Sequence, residues 1–544
     1  MAPVEPSALS RANTLPLVTF AAHIAVVAAL TGHVLVAVRR AARSLPASSS
    51  TRTQQTARRR HAAVFAALAL LSLAAVTTFG VAWRVLSYFE WAELGNHEVP
   101  NGLWTGWYGT GQDGVGNWKL GDWTADVDLL RYNDLTVVGE PEGFLYTCQH
   151  FVGLAAASIF MGIEGHRRKF DASTIASFVL LSTLGSLGYA LNLFFILILF
   201  KPFTVHGEDS PRRDALFAPK PAVYYVPVTA AVGLLWYLPR LIDQRANVDP
   251  VRFGYVVLPL FLAFAPKIIP LSWGHEHVSK AVTHRSHAPA FLILGLASSL
   301  LYWNQLTTTF LVNTPLKHSS AYDLFTNAIG KKDATNRFLT GLGTTAQKLK
   351  TISYHPAVSA TASDTVFTAL SLCAWAFIRN LDINAILESS PLYFLAPNHQ
   401  HYFHRSKHVA FSPEPKVEKS EGDPVPAITP RKRGRPKKTE YPASARKSTT
   451  PPPGSTLAIT TNTGTLRRSS RRKQKSDYES DMEESYEPPS SVSSALKQTE
   501  ADGVVPTEDY VQGGESTALA IFLFVTGGLG QVAAAILGAE VTGV

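Results

Sequence analysis

Nine runs of apolar residues, each long enough to cross the hydrocarbon core of a bilayer, constrain this chain more than any other feature. A membrane-spanning helix needs about 20 mostly apolar residues, and it satisfies its own backbone N–H and C=O groups where water cannot. The runs are Leu15–Val38, Ala62–Val85, Gly143–Ile163, Ser173–Phe200, Ala222–Ile242, Val251–Leu271, Pro289–Val312, Asp364–Ile386 and Thr517–Ala539. Charged residues make up 17% of the chain, against about 25% in soluble domains. That shortage excludes a soluble enzyme of several globular domains. Cys148 and Cys373 both fall inside apolar runs, which excludes a disulfide framework or a thiolate metal site. The expected fold class is all-α, a polytopic helical membrane bundle of about nine transmembrane helices.

The distribution of Lys and Arg sets the expected orientation, since short cytosolic loops carry the positive charge. The first connection holds Arg39, Arg40, Arg43, Arg52, Arg58, Arg59 and Arg60, with no acid between them. His166-Arg167-Arg168-Lys169 and the connection with Arg240, Arg245 and Arg252 are read as cytosolic on the same ground. The connection 86–142 has ten Asp/Glu against Lys119 and Arg131, a net of −8, and belongs on the lumenal face. It also carries Trp91, Trp104, Trp107, Trp118 and Trp123 among Gly-rich turns. Such a loop reads either as a cap on the headgroups or as a lid over a cavity. Nine crossings place the N-terminus outside and the C-terminus inside. The sixth run holds Pro259, Pro266, Lys267 and Pro270, so its lower half is expected to kink or to face protein.

The chain thus divides into an N-terminal tail (1–14), an eight-helix bundle (15–387), a basic insert (388–515) and a ninth helix (516–544). The insert is rich in Pro, Ser, Thr, Lys, Arg and Glu, and a segment so poor in large apolar residues is expected to be disordered. Within it, Arg433-Gly434-Arg435-Pro436 has the core of an AT-hook, whose arginines suit the narrow minor groove of A·T-rich DNA. Basic runs in such tails more often meet anionic headgroups. The counted topology also puts the insert on the lumenal side, away from DNA, so nucleic acid is disfavoured as a partner and the bilayer is favoured.

The sequence has no phosphate-binding glycine loop, zinc signature or nucleophile elbow. His275-Glu276-His277 with His284 and His287, and the group His399, His401, His404 and His408, lack the spacing of a ligand set. No metal and no cofactor is expected. Polar residues within or at the ends of spans carry more information, because lipid penalises them. Gln149 and His150 lie in the third run, Glu164 at its cytosolic end and Asn192 in the fourth. Asn304 and Gln305 adjoin Trp303, Asp364 opens the eighth run, and Arg379, Asn380 and Asp382 lie near its end. Singly these read as interhelical hydrogen bonds; together they suggest a polar, aromatic-lined interior.

Several blocks together resemble a group of fungal multi-pass membrane proteins, the membrane-bound terpene cyclases of the ascochlorin and ascofuranone type. They are Trp123-Thr124-Ala125-Asp126, Gln149, Glu164-Gly165-His166-Arg167-Arg168, Asn192-Leu193-Phe194-Phe195, His355-Pro356-Ala357-Val358-Ser359-Ala360 leading to Asp364, and Gly527-Gly528-Leu529-Gly530 through Gly538-Ala539-Glu540-Val541. The likeness runs over roughly residues 80–390 and 515–544, and the basic insert departs from it. It implies an enzyme that protonates a terminal epoxide on the farnesyl chain of a meroterpenoid and lets the chain close through carbocations. The partner implied is a lipophilic prenylated small molecule, and the chemistry requires a neutral carboxylic acid and aromatic faces, without a metal. Asp126 and Asp364 are the leading candidates for that acid. Glu164 is third, since its basic neighbours would keep it ionised. Trp123, Gln149, Asn192, Trp303 and Trp375 are the expected cavity lining.

Two other classes compete: a non-catalytic transporter, channel or sensor, and a membrane tether whose tail contacts DNA. The sequence shows no internal repeat and no pair of broken helices in matching halves, which weakens a secondary transporter. Without a transit peptide or a retention signal at Val544, the expected location is the endoplasmic reticulum or another secretory-pathway membrane.

Overall fold

All nine apolar runs are helical over most of their length in the computed structural model. It describes residues 14–43, 55–97, 118–127, 129–201, 217–244, 246–276, 280–314, 332–396 and 510–542. The helices are α1 (Thr14–Arg43), α2 (Gln55–Leu94), α3 (Leu120–Asp126), α4 (Leu129–Val137), α5 (Pro141–Arg167), α6 (Ala172–Leu184) and α7 (Leu187–Phe200). They continue as α8 (Ala222–Asp243), α9 (Asp249–Ile268), α10 (Lys280–Asn313), α11 (Lys332–Ile352), α12 (Pro356–Arg379), α13 (Ile383–Glu388) and α14 (Tyr510–Thr542). Among the described residues the strands are one short antiparallel pair, Phe217–Pro219 with Gly274–Glu276. The fold is all-α, and eight of these helices are long and apolar enough to cross a membrane: α1, α2, α5, α8, α9, α10, α12 and α14.

Contacts between helices give the bundle two ends of opposite charge. At the acidic end Asp134 pairs with Arg252 at 2.6 Å, and Glu142 accepts from Asn313 at 2.7 Å. At the basic end Glu164 is held by Arg167 at 2.7 Å and by Arg168, while Arg379 pairs with Glu540 at 3.0 Å. Between the ends α5 is buried along most of its length and packs against α9, α10 and α14. Trp375 stacks on Phe195 with centroids 4.2 Å apart, and Phe65 lies against both rings. The indole N–H of Trp375 donates to Glu540, so this one side chain ties α2, α7, α12 and α14 together.

Two of the apolar runs fold back on themselves instead of crossing. At about 1.5 Å per residue neither α6 nor α7 reaches much beyond 20 Å, short of the roughly 30 Å hydrocarbon core. Lys201, just past α7, donates from Nζ to the carbonyl of Lys169, just before α6, at 3.2 Å, so the pair begins and ends at one level. Burial lowers the pKa of that ammonium, and Asp171 opposes the shift. Halfway along, Phe178 and Phe194 meet at 5.1 Å across the two arms. The arm α7 runs antiparallel to α2: Ser186 meets Ser72 at 2.9 Å, and the Leu199 carbonyl accepts from Arg58 at 3.0 Å. The run Ser173–Phe200 is therefore a hairpin inserted from the basic end, with Gly185 and Ser186 at its tip.

The same geometry recurs in α14. Ser516 donates to the carbonyl of Ala376 at 3.2 Å, yet Glu540 reaches Arg379 in the same turn of α12. A straight helix would separate those two residues by about 36 Å. The reversal falls at Gly528, whose φ of 75° and ψ of −169° lie in a region open only to glycine. Its Cα also abuts the carboxamide of Gln149, which leaves no space for a β-carbon.

These hairpins correct four expectations. The fourth and ninth runs do not cross, because each is broken at its midpoint and both its ends lie at the basic end. The helices are thus broken twice, against the continuous spans read from the sequence. The basic connection after α8 lies at the acidic end, where Arg252 answers Asp134, because the hairpin reverses the parity of every later crossing. The residues that flank the insert, Arg379 to Ala396 and Tyr510 onward, lie at the basic end, whereas a count of nine crossings puts them at the acidic end. Of the residues of the sixth run expected to kink it or face protein, Pro259 and Pro266 are buried within an unbroken α9, whereas Lys267 and Pro270 are exposed.

Two outcomes follow. By the positive-inside rule the basic end faces the cytosol, so a protease site placed at Pro451 is cleaved in sealed microsomes by protease added outside. Gly528→Ala lowers the thermal midpoint in detergent, by a loss of about 1–3 kcal/mol. Gly514→Ala in the open first arm, where no atom crowds a β-carbon, leaves it unchanged or raises it.

Candidate functional site

The break between α6 and α7 creates an electrostatic demand that one side chain meets. The first amides of α7 have no partner within their own helix, and they point at Asp364 on α12. Leu187 N–H donates to Oδ2 at 2.8 Å and Gly188 N–H to Oδ1 at 2.9 Å. The hydroxyl of Ser186, which caps α7 by accepting from Tyr189 N–H, donates to Oδ1 at 2.7 Å. Ser72 sits behind it, 2.9 Å from the Ser186 hydroxyl and 3.3 Å from Oδ1. His150 Nε2 lies 3.0 Å from Oδ2, and its Nδ1 is 3.2 Å from the hydroxyl of Tyr255 on α9. Helices α2, α5 and α7 therefore converge on one buried carboxyl group of α12, and its amide and hydroxyl neighbours all donate to it. This donor set fits a carboxylate, not the neutral acid that the sequence reading required of Asp364.

A cavity of about 910 Å³ opens beside this cluster. Asp364, His150 and Tyr255 lie in its wall, with the hairpin tip at Gly185. The remainder is mostly apolar, contributed by α8 and α9, and Asn133, Asp134 and Arg252 line it toward the acidic end. A site of this size, apolar with a few convergent polar groups, is typical of small-molecule pockets. The chain Tyr255–His150–Asp364 can pass a proton: a protonated imidazole donates at Nε2 to the carboxylate and at Nδ1 to the phenol oxygen. A neutral one accepts from the phenol instead.

Of the residues expected to carry the chemistry, Asp364 alone reaches this cavity. It lies well inside α12, which begins at Pro356, instead of opening the span. Asp126 is exposed at the acidic end and accepts from the Trp91 indole at 3.1 Å. Glu164 is buried at the basic end between Arg167 and Arg168.

None of the five expected lining residues belongs to this cavity's wall. Trp123 packs with Tyr88 and Trp91 beneath the acidic end. Trp303 points outward and Trp375 is consumed by the stack on Phe195. Asn192 braces α7 by donating to Gly188 O and Ser371 Oγ, both at 2.7 Å. Gln149, next to His150 in sequence, serves the other hairpin: its Oε1 accepts from Gly530 N–H at 3.2 Å and Ser298 Oγ at 2.9 Å. Among the described residues no three His, Cys, Asp or Glu side chains gather as a metal site. Of the histidine loop, His287 is buried beside Tyr224. The other loop side chains, the His399–His408 group and Arg433, Gly434, Arg435 and Pro436 lie outside the described residues.

Tyr255 and Ser186 were missed in the sequence. A tyrosine in an apolar helix raises no alarm, and the one signal for Ser186 was a Gly-Ser pair, a helix-capping sequence, in the middle of an otherwise apolar run. Asp364→Asn places a second set of donors against the α7 amides. It is expected to destabilise the fold by about 3–5 kcal/mol, the cost of breaking a buried charged pair. Ser72→Ala, which removes one outer hydroxyl, should cost about 1 kcal/mol; denaturation in detergent followed by tryptophan fluorescence compares the two. Comparison with protein families, with curated proteins and with solved structures finds no match for this chain.

Proposed function

We propose that this chain is a membrane-embedded, metal-independent acid–base enzyme that cyclises a lipophilic, epoxidised prenyl chain. The observation that supports it is the proton chain Tyr255–His150–Asp364 set in the wall of a largely apolar cavity. In this reading the imidazolium form of His150 is the reactive one, its Nε2–H directed at the Asp364 carboxylate, and Asp364 is not itself the acid. Tyr255 delivers its phenolic proton to the epoxide oxygen as the C–O bond breaks, and His150 Nδ1–H replaces that proton. The alkene carbons then attack the cationic carbon in turn. The last cation loses a proton, which returns to the imidazole, so the reaction is an isomerisation with no net proton consumed. The apolar walls exclude water that would otherwise capture the cation.

The test is product formation from an aromatic substrate bearing an epoxyfarnesyl chain, in membranes containing the full-length protein, read by mass spectrometry. Tyr255→Phe keeps the ring and removes the donor, and should lower the rate about 10²- to 10⁴-fold, the usual contribution of a positioned acid. Asp126→Asn, on the exposed acidic end, should leave the rate unchanged. Absence of any cyclised product across a panel of such substrates with the unmodified protein would overturn the proposal.

A second reading, a proton-coupled carrier, is favoured by the two hairpins. The α14 tip meets α5 at Gln149, and the α6–α7 tip shares the Asp364 carboxylate with the adjacent His150. Broken helices at the membrane midplane are the usual sites of substrate and coupling ion in secondary transporters. Proteoliposomes separate the two readings: a carrier moves protons with its solute and returns the solute chemically unchanged.

A further inference from the structure

Where α8 forms it, the wall of the cavity is a single helix thick. Along α8, Pro227, Ala231, Leu235, Leu238 and Ile242 face the cavity in a helical stripe. The opposite face, with Val226, Trp236 and Tyr237, is exposed in the region that lies within the membrane. This helix leans on α10 and only lightly on α9, whereas α5 is enclosed on all sides. It is also interrupted by two internal prolines, Pro227 and Pro239. Each removes one backbone hydrogen bond and lets the helix bend about that point. The polar groups of the cavity do not come from this wall: Asn133, Asp134 and Arg252 gather at the acidic end, the His150 cluster sits at the hairpin tip, and His23, Thr147, Ser182, Thr183 and Thr361 belong to other helices.

We propose that α8 is a lateral gate, through which a single-chain amphiphile dissolved in the bilayer slides into the cavity. Its apolar chain lies along the α8 stripe, and its polar end sits beneath α4 at Asn133, Asp134 and Arg252. The inference rests on the cavity being a site for a lipophile, and adds the source of that ligand and its direction. A water-borne ligand would need an opening flanked by polar groups. The long wall here separates apolar space from lipid, so a chain passing it never leaves an apolar medium.

The test uses the full-length protein in phosphatidylcholine nanodiscs that contain a long-chain monoacylglycerol with a diazirine on its acyl chain, a single-chain probe held in the bilayer by its apolar chain. Crosslinks are mapped by mass spectrometry to the inner stripe, Leu235 and Leu238, and to the outer face, Trp236 and Tyr237. Both faces should be labelled. Gly254, in the cavity wall, has open space around it, so Gly254→Leu fills the cavity without a clash at its β-carbon. It should cut inner labelling about tenfold, as a chain is excluded from an overfilled site, and leave outer labelling unchanged. Gly233→Leu, also in open space but on the exposed side of α8, should leave both unchanged and controls for folding. Labelling confined to the outer face, or inner labelling that Gly254→Leu does not reduce, overturns the gate. Inner labelling without cyclised product counts against the chemistry alone, and product without inner labelling counts against the gate alone.

Discussion

Interrupting a helix within hydrocarbon strips the chain of the hydrogen bonds that let it enter lipid at all, and each orphaned amide costs about 1–3 kcal/mol if nothing answers it. The tip between α6 and α7 exposes the amides of Leu187 and Gly188, and Asp364 answers both. One acceptor group therefore fixes the hairpin tip to α12, draws in Ser186 and Ser72, and orients His150 toward Tyr255. The location of the cavity follows, since the hairpin tip forms part of its wall. Structural support and candidate chemistry converge on the same carboxylate, so the two roles have to be separated at Tyr255, which the hairpin does not need.

A second set of charges holds the basic end. Glu540 accepts from Trp375 and Arg379, and Glu164 from Arg167 and Arg168, with Arg167 also reaching the carbonyl of Val541. Buried ions of this kind gain little net stability, but removing one partner leaves a charge that has nowhere to go. They pin the open ends of the α14 hairpin against α5 and α12. With both hairpins anchored at that end, the α14 tip reaches α5 at Gln149, while the α6–α7 tip is joined to the neighbouring His150 through the shared Asp364 carboxylate. The basic insert departs from this same end, which is the reverse of what counting nine crossings implies.

The legible part of the fold was the part set by local pattern. Apolar length marked every run, and the excess of Arg at 39–60 and 166–169 marked one end of the bundle. Counting failed where a run was long enough to cross yet was folded in two. Residues 173–200 contain enough apolar residues for one span, and only the pair Gly185-Ser186 hinted otherwise. At 517–539 the glycines 527, 528 and 530 were visible, but a glycine in an apolar helix also serves close helix packing, as Gly162 does against Ala263. Asp364 stood out because an acid within a span demands a partner. Asp126, Trp123, Trp303 and Trp375 were given roles by the family resemblance instead, yet burial assigns them to packing or to the surface.

By itself, then, the sequence determined an all-α membrane protein, the apolar segments, the charge of the two ends and the short list of polar residues that lipid would not tolerate unpaired. Those are properties of composition along the chain, which the solvent reads locally. Tertiary structure decided which runs cross and which turn back, and so the side from which the insert emerges. It also decided which polar residues meet: Asp364 lies 214 positions from His150, and no local pattern relates them. Their pairing arises because a broken helix must find an acceptor for its amides, and only the packed bundle brings that acceptor within reach.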